Sequence, residues 1–290
     1  MVPDVKHFYK LIGTIHCLNM CTAAIILYFC YLMARYFVEL AYKGTQFHGW
    51  QVQPNAVSVQ SVLEDAFGKA LRSDVEIVGA GRTDAGVHAL YYVAHFDLAV
   101  EITDSRKLID KVNRILPRDV AVSTINQVPG EAHSRFHATW REYEYWVVLE
   151  KRPFLDGLTY RLWRKPDFDL MNQAANLLFL HTDFSSFSKL HTDVKTNNCK
   201  IYKAEWTSDG EKWIFTIRAD RFLRNMVRAV VGTLLEVGYY KISLKEFETI
   251  IYAKDRCKAG VSVPPEALYL VDIAYPPDIF TRQSHPFAKS

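Results

Sequence analysis

The sequence has few cysteines, little net charge and no repetitive stretch, and each of these absences argues against a class of protein. Its five cysteines are odd in number, include no Cys-x-x-Cys pair and place three members within the first thirty residues. That arrangement argues against a disulfide framework and a zinc site, and it fits reduced thiols in a cytoplasmic protein. With 35 basic and 32 acidic residues the net charge is only +3, so overall charge does not identify a nucleic-acid-binding protein.

Apolar residues, by contrast, are plentiful. They make up 49% of the 290 residues, whereas charged residues make up 23%. A chain of this length and composition is globular and can bury the core of one large domain or of two ordinary ones. Predicted strands and helices form two halves of similar content, joined near residues 150–168, where Pro153, Gly157 and Pro166 interrupt the pattern.

Glycine is concentrated in one short loop. Gly79, Gly81 and Gly86 fall within eight residues, and Arg82 and Asp84 lie between them. Glycine permits positive φ and the close approach of another backbone, and a short loop that presents one acid and one base suits a preorganised site. The same residues also fit a tight connection between two strands, with polar side chains that cap the turn.

Two other segments carry aromatic side chains that could face RNA. Residues 42–51 include His48 and Trp50 among turn residues, and such rings either pack inside a loop or stack on bases. From residue 143 onward the sequence alternates as a strand, with Tyr143 and Tyr145 on one face. For two such tyrosines, core packing is the alternative to substrate contact.

Residues 221–238 combine an apolar stripe at helical spacing with a cluster of arginines. The stripe ends at Gly238 and predicts a helix. Arg221, Arg224 and Arg228 lie at i, i+3 and i+7, on one face near the start of this helix. Cations at that end oppose the helix dipole, which indicates an anionic partner, either a carboxylate or an RNA phosphate.

His88 and His95 are the histidines nearest to the glycine-rich loop. They are seven residues apart and have no other candidate ligand beside them. A metal site needs more ligands at defined spacing, so we interpret both as ordinary hydrogen-bonding histidines.

The glycine-rich loop carries a family resemblance. Residues 81–89 read Gly-Arg-Thr-Asp-Ala-Gly-Val-His-Ala, which resembles the signature loop of the TruA family of tRNA pseudouridine synthases. Nine specific residues in a row are a strong signal, unlike a lone glycine pattern. Other segments resemble family motifs in the same order, and the similarity covers about residues 34–277. Lys43 replaces a family aspartate and Ala267 a family glycine.

The resemblance implies an α+β pseudouridine-synthase fold. Two similar α/β halves would share a mixed, mostly antiparallel central sheet flanked by helices. On this chain the N-terminal half with the catalytic loop would span residues 33–150, the connection 151–168 and the C-terminal half 169–278, followed by a polar tail at 279–290.

The resemblance also implies an activity. It is the isomerisation of uridine to pseudouridine at positions 38, 39 and 40 of the tRNA anticodon stem-loop, by a homodimer that flips the base. The reaction replaces a nitrogen–carbon glycosidic bond with a carbon–carbon bond and transfers no electrons, so we expect no metal or other cofactor. A non-catalytic RNA-binding protein on the same scaffold is the alternative, although binding alone would not need the acid of the loop.

The family motifs assign roles to particular residues. Asp84 would be the catalytic nucleophile, attacking either the uracil or the ribose, and Arg82 or Arg228 beside it would favour its ionised form. Tyr143 would lie against the target uracil. Further substrate contacts are implied or proposed for Leu268, which matches a leucine of the uracil pocket, and for Arg135, His48 and Trp50.

The N-terminus contains the longest apolar run, residues 18–34, with Lys6, His7 and Lys10 before it. By itself this run is typical of a signal peptide or a short membrane anchor, and a membrane-tethered protein is one alternative. However, it continues without a linker into a strand, and the segment from Met33 is similar to the start of family members. We therefore expect residues 1–32 to be a non-native or mis-assigned extension and the protein to have no membrane association.

Overall fold

The computed structural model describes residues 33–189 and 196–279. The proposed N-terminal extension, and the polar tail apart from its first residue, lie outside the described residues, so both stay predictions. Within the described ranges no helix has the length and apolar character needed to cross a membrane.

One sheet runs through the described part of the chain. Its nine strands are β1 (Ala34–Tyr42), β2 (Val78–Gly79), β3 (His88–Leu98), β4 (Val120–Val128), β5 (Trp140–Val148), β6 (Tyr160–Arg161), β7 (Ile201–Ser208), β8 (Trp213–Ala219) and β9 (Leu268–Ala274). The main order is β4-β1-β3-β9-β5-β8-β7, with β2 paired to β3 and β6 to β5. Only β3–β9 and β5–β6 pair in parallel among these strands, which confirms the mixed, mostly antiparallel sheet.

Five α-helices flank this sheet in the described ranges: α1 (Val59–Leu71), α2 (Ser105–Ile115), α3 (Phe168–Leu177), α4 (Met226–Gly238) and α5 (Leu244–Ala253). Two of them begin with a capping box, formed by Ser58 with Ser61 and by Ser243 with Glu246. In each box two side chains satisfy backbone N–H groups that the first helical turn leaves free. Local sequence therefore defines where these helices begin.

Two hydrophobic clusters fill the core of the described residues. The first packs α1 and α2 against β1, β3 and β4, and the second packs α3, α4 and α5 against β5, β7 and β8. Tyr143 packs against both clusters and so lies where the two clusters meet. The α+β class is confirmed, and the division of the chain at residues 151–168 stays a prediction.

The last strand, β9, joins the strands of the two hydrophobic clusters. β9 lies between β3 and β5, with His88 opposite Tyr269 on one side and Tyr143 opposite Leu270 on the other. Adjacent strands lie about 4.8 Å apart, so the residue that follows the glycine-rich loop is brought within two strand spacings of β5. The site described below forms at this junction.

The helix expected over residues 221–238 begins later than the apolar stripe indicates. Asn225 precedes it in the left-handed conformation, at φ 64°, and the helix starts at Met226. Arg221 and Arg224 therefore precede the helix, and the prediction that they share a helical face with Arg228 is wrong. Asparagine adopts the left-handed conformation more readily than most residues. A single residue in this conformation does not change the helical spacing of the apolar residues, so the sequence pattern does not show where the helix begins.

His95 lies behind the glycine-rich loop in a buried hydrogen-bond cluster. Its Nδ1 accepts the backbone N–H of Ser134 at 3.3 Å, and Ser134 Oγ lies 2.8 Å from Nδ1 and 2.9 Å from the carbonyl oxygen of Val78. Burial, together with the nearby charges of Arg35 and His133, lowers the pKa of His95 to about 3. The ring is therefore neutral at pH 7 and has the hydrogen-bonding role predicted for it.

Acid is expected to destabilise the protein through His95. This histidine has a pKa of about 3 in the folded protein but near 6.5 when unfolded, so the unfolded state binds the proton first. The contribution of the neutral His95 ring to stability is therefore fully present above pH 6.5 and is lost as the pH falls toward 3. Between pH 7 and pH 5 we expect the free energy of unfolding to fall by about 2 kcal/mol from this residue. Urea unfolding at pH 7 and pH 5 measures this fall. If the free energy of unfolding of His95→Gln falls by the same amount between these pH values, the effect does not come from His95.

Candidate active site

The glycine-rich loop (residues 80–87) is held by close backbone packing against the aromatic segment that follows β1. At Gly49, where φ is +90°, a Cβ atom would lie 2.5 Å from the carbonyl oxygen of Thr83, and at Gly44 it would lie 1.9 Å from that of Val87. No other residue type fits these two contacts without displacing the loop. Gly44 and Gly49 of the aromatic segment therefore let its backbone pack directly against that of the loop.

His88 fastens the C-terminal end of this loop. Its Nδ1 accepts the backbone N–H of Gly44 at 2.9 Å, so the ring proton resides on Nε2, which donates to the carbonyl oxygen of Glu266 at 3.0 Å. Burial lowers the pKa of His88, which keeps this neutral form. One imidazole thus connects the aromatic segment, the start of β3 and the turn before β9.

Asp84 is the acid at the centre of the loop, and it lies between two arginines. Its Oδ2 is 3.7 Å from Nη1 of Arg228, and its Oδ1 is 3.8 Å from Nε of Arg224. The Asp84 side chain is 28% exposed, so a substrate can reach the carboxylate. At these separations the charges attract each other, but the distances exceed hydrogen-bond length. Neither arginine is therefore hydrogen-bonded to the carboxylate oxygens of Asp84.

The structure selects between the two arginines expected beside Asp84. Arg228 is there, in the first turn of α4, and its Nε donates to the carbonyl oxygen of Val263 at 2.7 Å. Arg82 is exposed and has no side-chain hydrogen bond or ion pair among the described residues. The second arginine beside Asp84 is Arg224. The arginine cluster is expected from the sequence to have an anionic partner, and for Arg224 that partner is the carboxylate of Asp84.

Tyr143 shares this site. Its ring packs edge-on against Phe222, with the centroids 5.0 Å apart. Burial raises the pKa of Tyr143 to about 12, while the charge of Arg141 lowers it and that of Asp84 raises it. The phenol therefore stays protonated at neutral pH, and the pairing of β9 with both β3 and β5 brings the Tyr143 ring to the end of the sheet where the Asp84 loop enters β3.

Arg141 is a site residue to which the sequence analysis assigns no role. Its Nη1 donates to the carbonyl oxygens of Ala138 (3.3 Å) and Asp220 (3.0 Å), and its Nη2 to those of Ala80 (3.0 Å) and Arg135 (2.6 Å). One guanidinium thus ties the glycine-rich loop to the segments that precede β5 and follow β8. In the sequence, only its position on β5, two residues before Tyr143, indicates that Arg141 lies near the site.

The other predicted substrate contacts divide into exposed and buried residues. His48 and Arg135 are exposed and face solvent. Trp50 is 3% exposed and stacks on Tyr92 with ring centroids 4.1 Å apart, so in this arrangement it supports the loop from beneath and offers no face to a base. Leu268 is buried at the start of β9.

The arrangement suits nucleophilic chemistry on an anionic substrate that contains an aromatic ring. It presents a reachable carboxylate, two cations and a tyrosine ring, and a carboxylate so placed can form a covalent intermediate. Among the described residues no three His, Cys, Asp or Glu side chains come together as a metal site would require.

Comparison with known proteins identifies the family. The family model for tRNA pseudouridine synthase matches residues 40–137 and 174–276. The tRNA pseudouridine synthase A of Parabacteroides distasonis is 56% identical over 86% of this chain and 98% of its own length. The proteins of that name from Bacteroides thetaiotaomicron and Clostridium acetobutylicum are 55% and 37% identical, over 87% and 82% of this chain and 94% and 98% of their own lengths.

The matched residues include the two elements that build the site, namely the loop that carries Asp84 and the helix that carries Arg228. Fold, site geometry and sequence similarity all lead to the same conclusion. The chain belongs to the tRNA pseudouridine synthase family.

Proposed function

We propose that this protein isomerises uridine to pseudouridine in tRNA, at positions 38, 39 and 40 of the anticodon stem-loop. The observation that carries the proposal is the carboxylate of Asp84, held between Arg224 and Arg228 in the same site as Tyr143. Family membership supports the isomerase class. The relatives named tRNA pseudouridine synthase A support tRNA as the substrate.

In the proposed reaction Asp84 is the nucleophile, and the bond that its carboxylate forms to the uracil or the ribose breaks again before the product leaves, which regenerates the carboxylate. The bond from uracil N1 to ribose C1′ breaks, a bond from C5 to C1′ forms, and a proton leaves C5 while N1 gains one. Atoms and electrons balance within the nucleotide, so the reaction needs no redox partner. Arg228 orients the carboxylate and places positive charge where negative charge develops, which is the usual electrostatic contribution to catalysis.

The target base of a stem must leave the helix to reach Asp84. Flipping costs a few kcal/mol, and stacking on an aromatic ring together with phosphate contacts offsets it. Tyr143 is the ring available in the site, and exposed Arg82 and Arg135 are cations near the loop. Arg141 ties together the segments that carry these two arginines, because it donates to the carbonyl oxygens of Ala80, two residues before Arg82, and of Arg135.

Tyr143 is expected to act through its ring rather than its hydroxyl, since burial raises its pKa to about 12. Tyr143→Phe keeps the ring, so we expect pseudouridine formation within about threefold of wild type, whereas Tyr143→Ala loses about 1–3 kcal/mol of stacking, a fall in kcat/KM of about 5- to 150-fold. Steady-state kinetics on an unmodified tRNA transcript measures both variants. A phenylalanine variant as impaired as the alanine variant would instead assign the role to the hydroxyl.

The direct test of the proposed function maps pseudouridine in tRNA. Purified protein should convert uridines of the anticodon arm in an unmodified transcript, and tRNA from a strain that lacks the protein should lose pseudouridine at positions 38–40 and keep it elsewhere. Unchanged pseudouridine at those positions would contradict the proposal.

The proposal includes a homodimer, as the family resemblance implies, and a cytoplasmic location. Phe154 is 96% exposed and Trp163 is 86% exposed, with the guanidinium of Arg161 4.3 Å from the Trp163 ring centre. Contiguous exposed apolar patches mark interaction surfaces, and an interface that includes the connecting segment would cover both of these rings. Sedimentation equilibrium measures the oligomeric state.

A further inference from the structure

Building on the proposed function, we propose that Arg224 is a mobile substrate-binding residue. It pairs with Asp84 in the free protein and transfers to an RNA phosphate when tRNA binds. The binding of the phosphate would then also release one side of the nucleophile.

The two arginines beside Asp84 differ in freedom. Arg228 is 19% exposed and is anchored by the hydrogen bond from its Nε to Val263. Arg224 is 58% exposed, and within the described residues its side chain has no partner other than Asp84, at 3.8 Å. An exposed ion pair of this length contributes little free energy. The Arg224 side chain can therefore leave Asp84 easily, whereas Arg228 cannot.

The backbone at Arg224, unlike its side chain, is held firmly. Its carbonyl oxygen accepts the N–H of Lys189 at 3.0 Å. The next residue, Asn225, has a left-handed backbone, and its Nδ2 donates to Ser262 Oγ at 2.6 Å. Ser262 Oγ in turn accepts Nη2 of Arg256 at 2.8 Å. A fixed backbone with a mobile guanidinium presents the charge at one place in the site and lets it exchange partners.

Phosphate is the partner that suits this exchange. Arginine forms paired, charge-assisted hydrogen bonds to phosphate oxygens, which are stronger than a single contact at 3.8 Å to a carboxylate. A nucleotide that enters the site to reach Asp84 brings its own phosphates with it. Once Arg224 leaves, Oδ1 of Asp84 loses its nearby cation while Oδ2 keeps Arg228, so the carboxylate stays oriented and one oxygen becomes available.

The first test measures binding without turnover. In an Asp84→Asn background, which removes both catalysis and the competing carboxylate, Arg224→Gln should weaken binding of an unmodified tRNA transcript by about tenfold and reduce the slope of log K against log salt by about 1. Lys245→Gln, which removes one exposed charge from α5, is the matched control in the same background and should change both quantities less.

The second test separates binding from catalysis in the active protein. Arg224→Gln should lower kcat/KM by about tenfold, mainly through KM, and Arg224→Lys should recover most of this loss because it keeps the charge. Two results would overturn the inference. One is equal affinity and salt slope for Asp84→Asn with and without Arg224→Gln. The other is a single-turnover rate at saturating tRNA that falls tenfold in Arg224→Gln. If wild-type protein forms no pseudouridine, the proposed function itself fails.

Discussion

Asp84→Asn is expected to abolish pseudouridine formation while tRNA binding persists. The asparagine has the same shape but is not a nucleophile, so we expect kcat to fall by at least about 10⁴-fold. Binding should survive because Asp84 supplies no positive charge to the RNA, and because its removal leaves the exposed Arg224 free to contact phosphate. Single-turnover assays and filter binding on the same transcript measure the two effects.

The matched control is Asp65→Asn, which makes the same chemical change on the exposed face of α1, where Asp65 pairs with Lys69. It should leave kcat and KM unchanged. Asp84→Glu keeps the charge but moves it by one methylene, and such a displacement should still cost at least about 100-fold in rate. Thermal unfolding of Asp84→Asn should match wild type, because neither arginine is hydrogen-bonded to the carboxylate. Full activity in this variant would end the proposal that Asp84 is the nucleophile.

Arg228→Ala should have the second-largest effect. Arg228 is the fixed cation of the site, since Val263 anchors its Nε while its Nη1 lies 3.7 Å from Asp84. Removing a preorganised charge of this kind typically lowers kcat by about 10²–10³-fold. The loss should be in kcat rather than in KM, which distinguishes Arg228 from Arg224. Steady-state kinetics of Arg228→Ala and Arg224→Gln in parallel gives this comparison.

Arg228→Lys tests whether charge or geometry matters. A lysine keeps the charge, but one ammonium group cannot reproduce the planar guanidinium that contacts Val263 and Asp84 with different nitrogens, so we expect activity between alanine and wild type. The hydrogen bond to Val263 contributes about 1 kcal/mol to stability. Because the variants lose this bond, their activity should be measured well below the melting temperature, where they remain folded. A kcat within about threefold of wild type in Arg228→Ala would contradict an electrostatic role.

Several features of the fold and site were predictable because they depend on neighbours in sequence. Alternation predicted the strands, and serine caps mark where α1 and α5 begin. The glycine-rich loop with its acid was visible as a short run of residues. The start of α4 was not, because one left-handed residue, Asn225, displaces it without changing the apolar spacing. Trp50 was assigned to the substrate, yet a ring in a loop is equally suited to the core, where the structure places it.

The amino-acid sequence by itself determined the local elements, the family resemblance and the candidate acid, Asp84. Only the tertiary structure decided what surrounds that acid. β9, formed late in the chain, inserts between β3 and β5 and brings the loop and Tyr143 together, and the turn at Asn225 directs Arg224 toward Asp84. Periodicity and caps arise from contacts a few residues apart, whereas these contacts join distant residues and depend on the path of the whole chain.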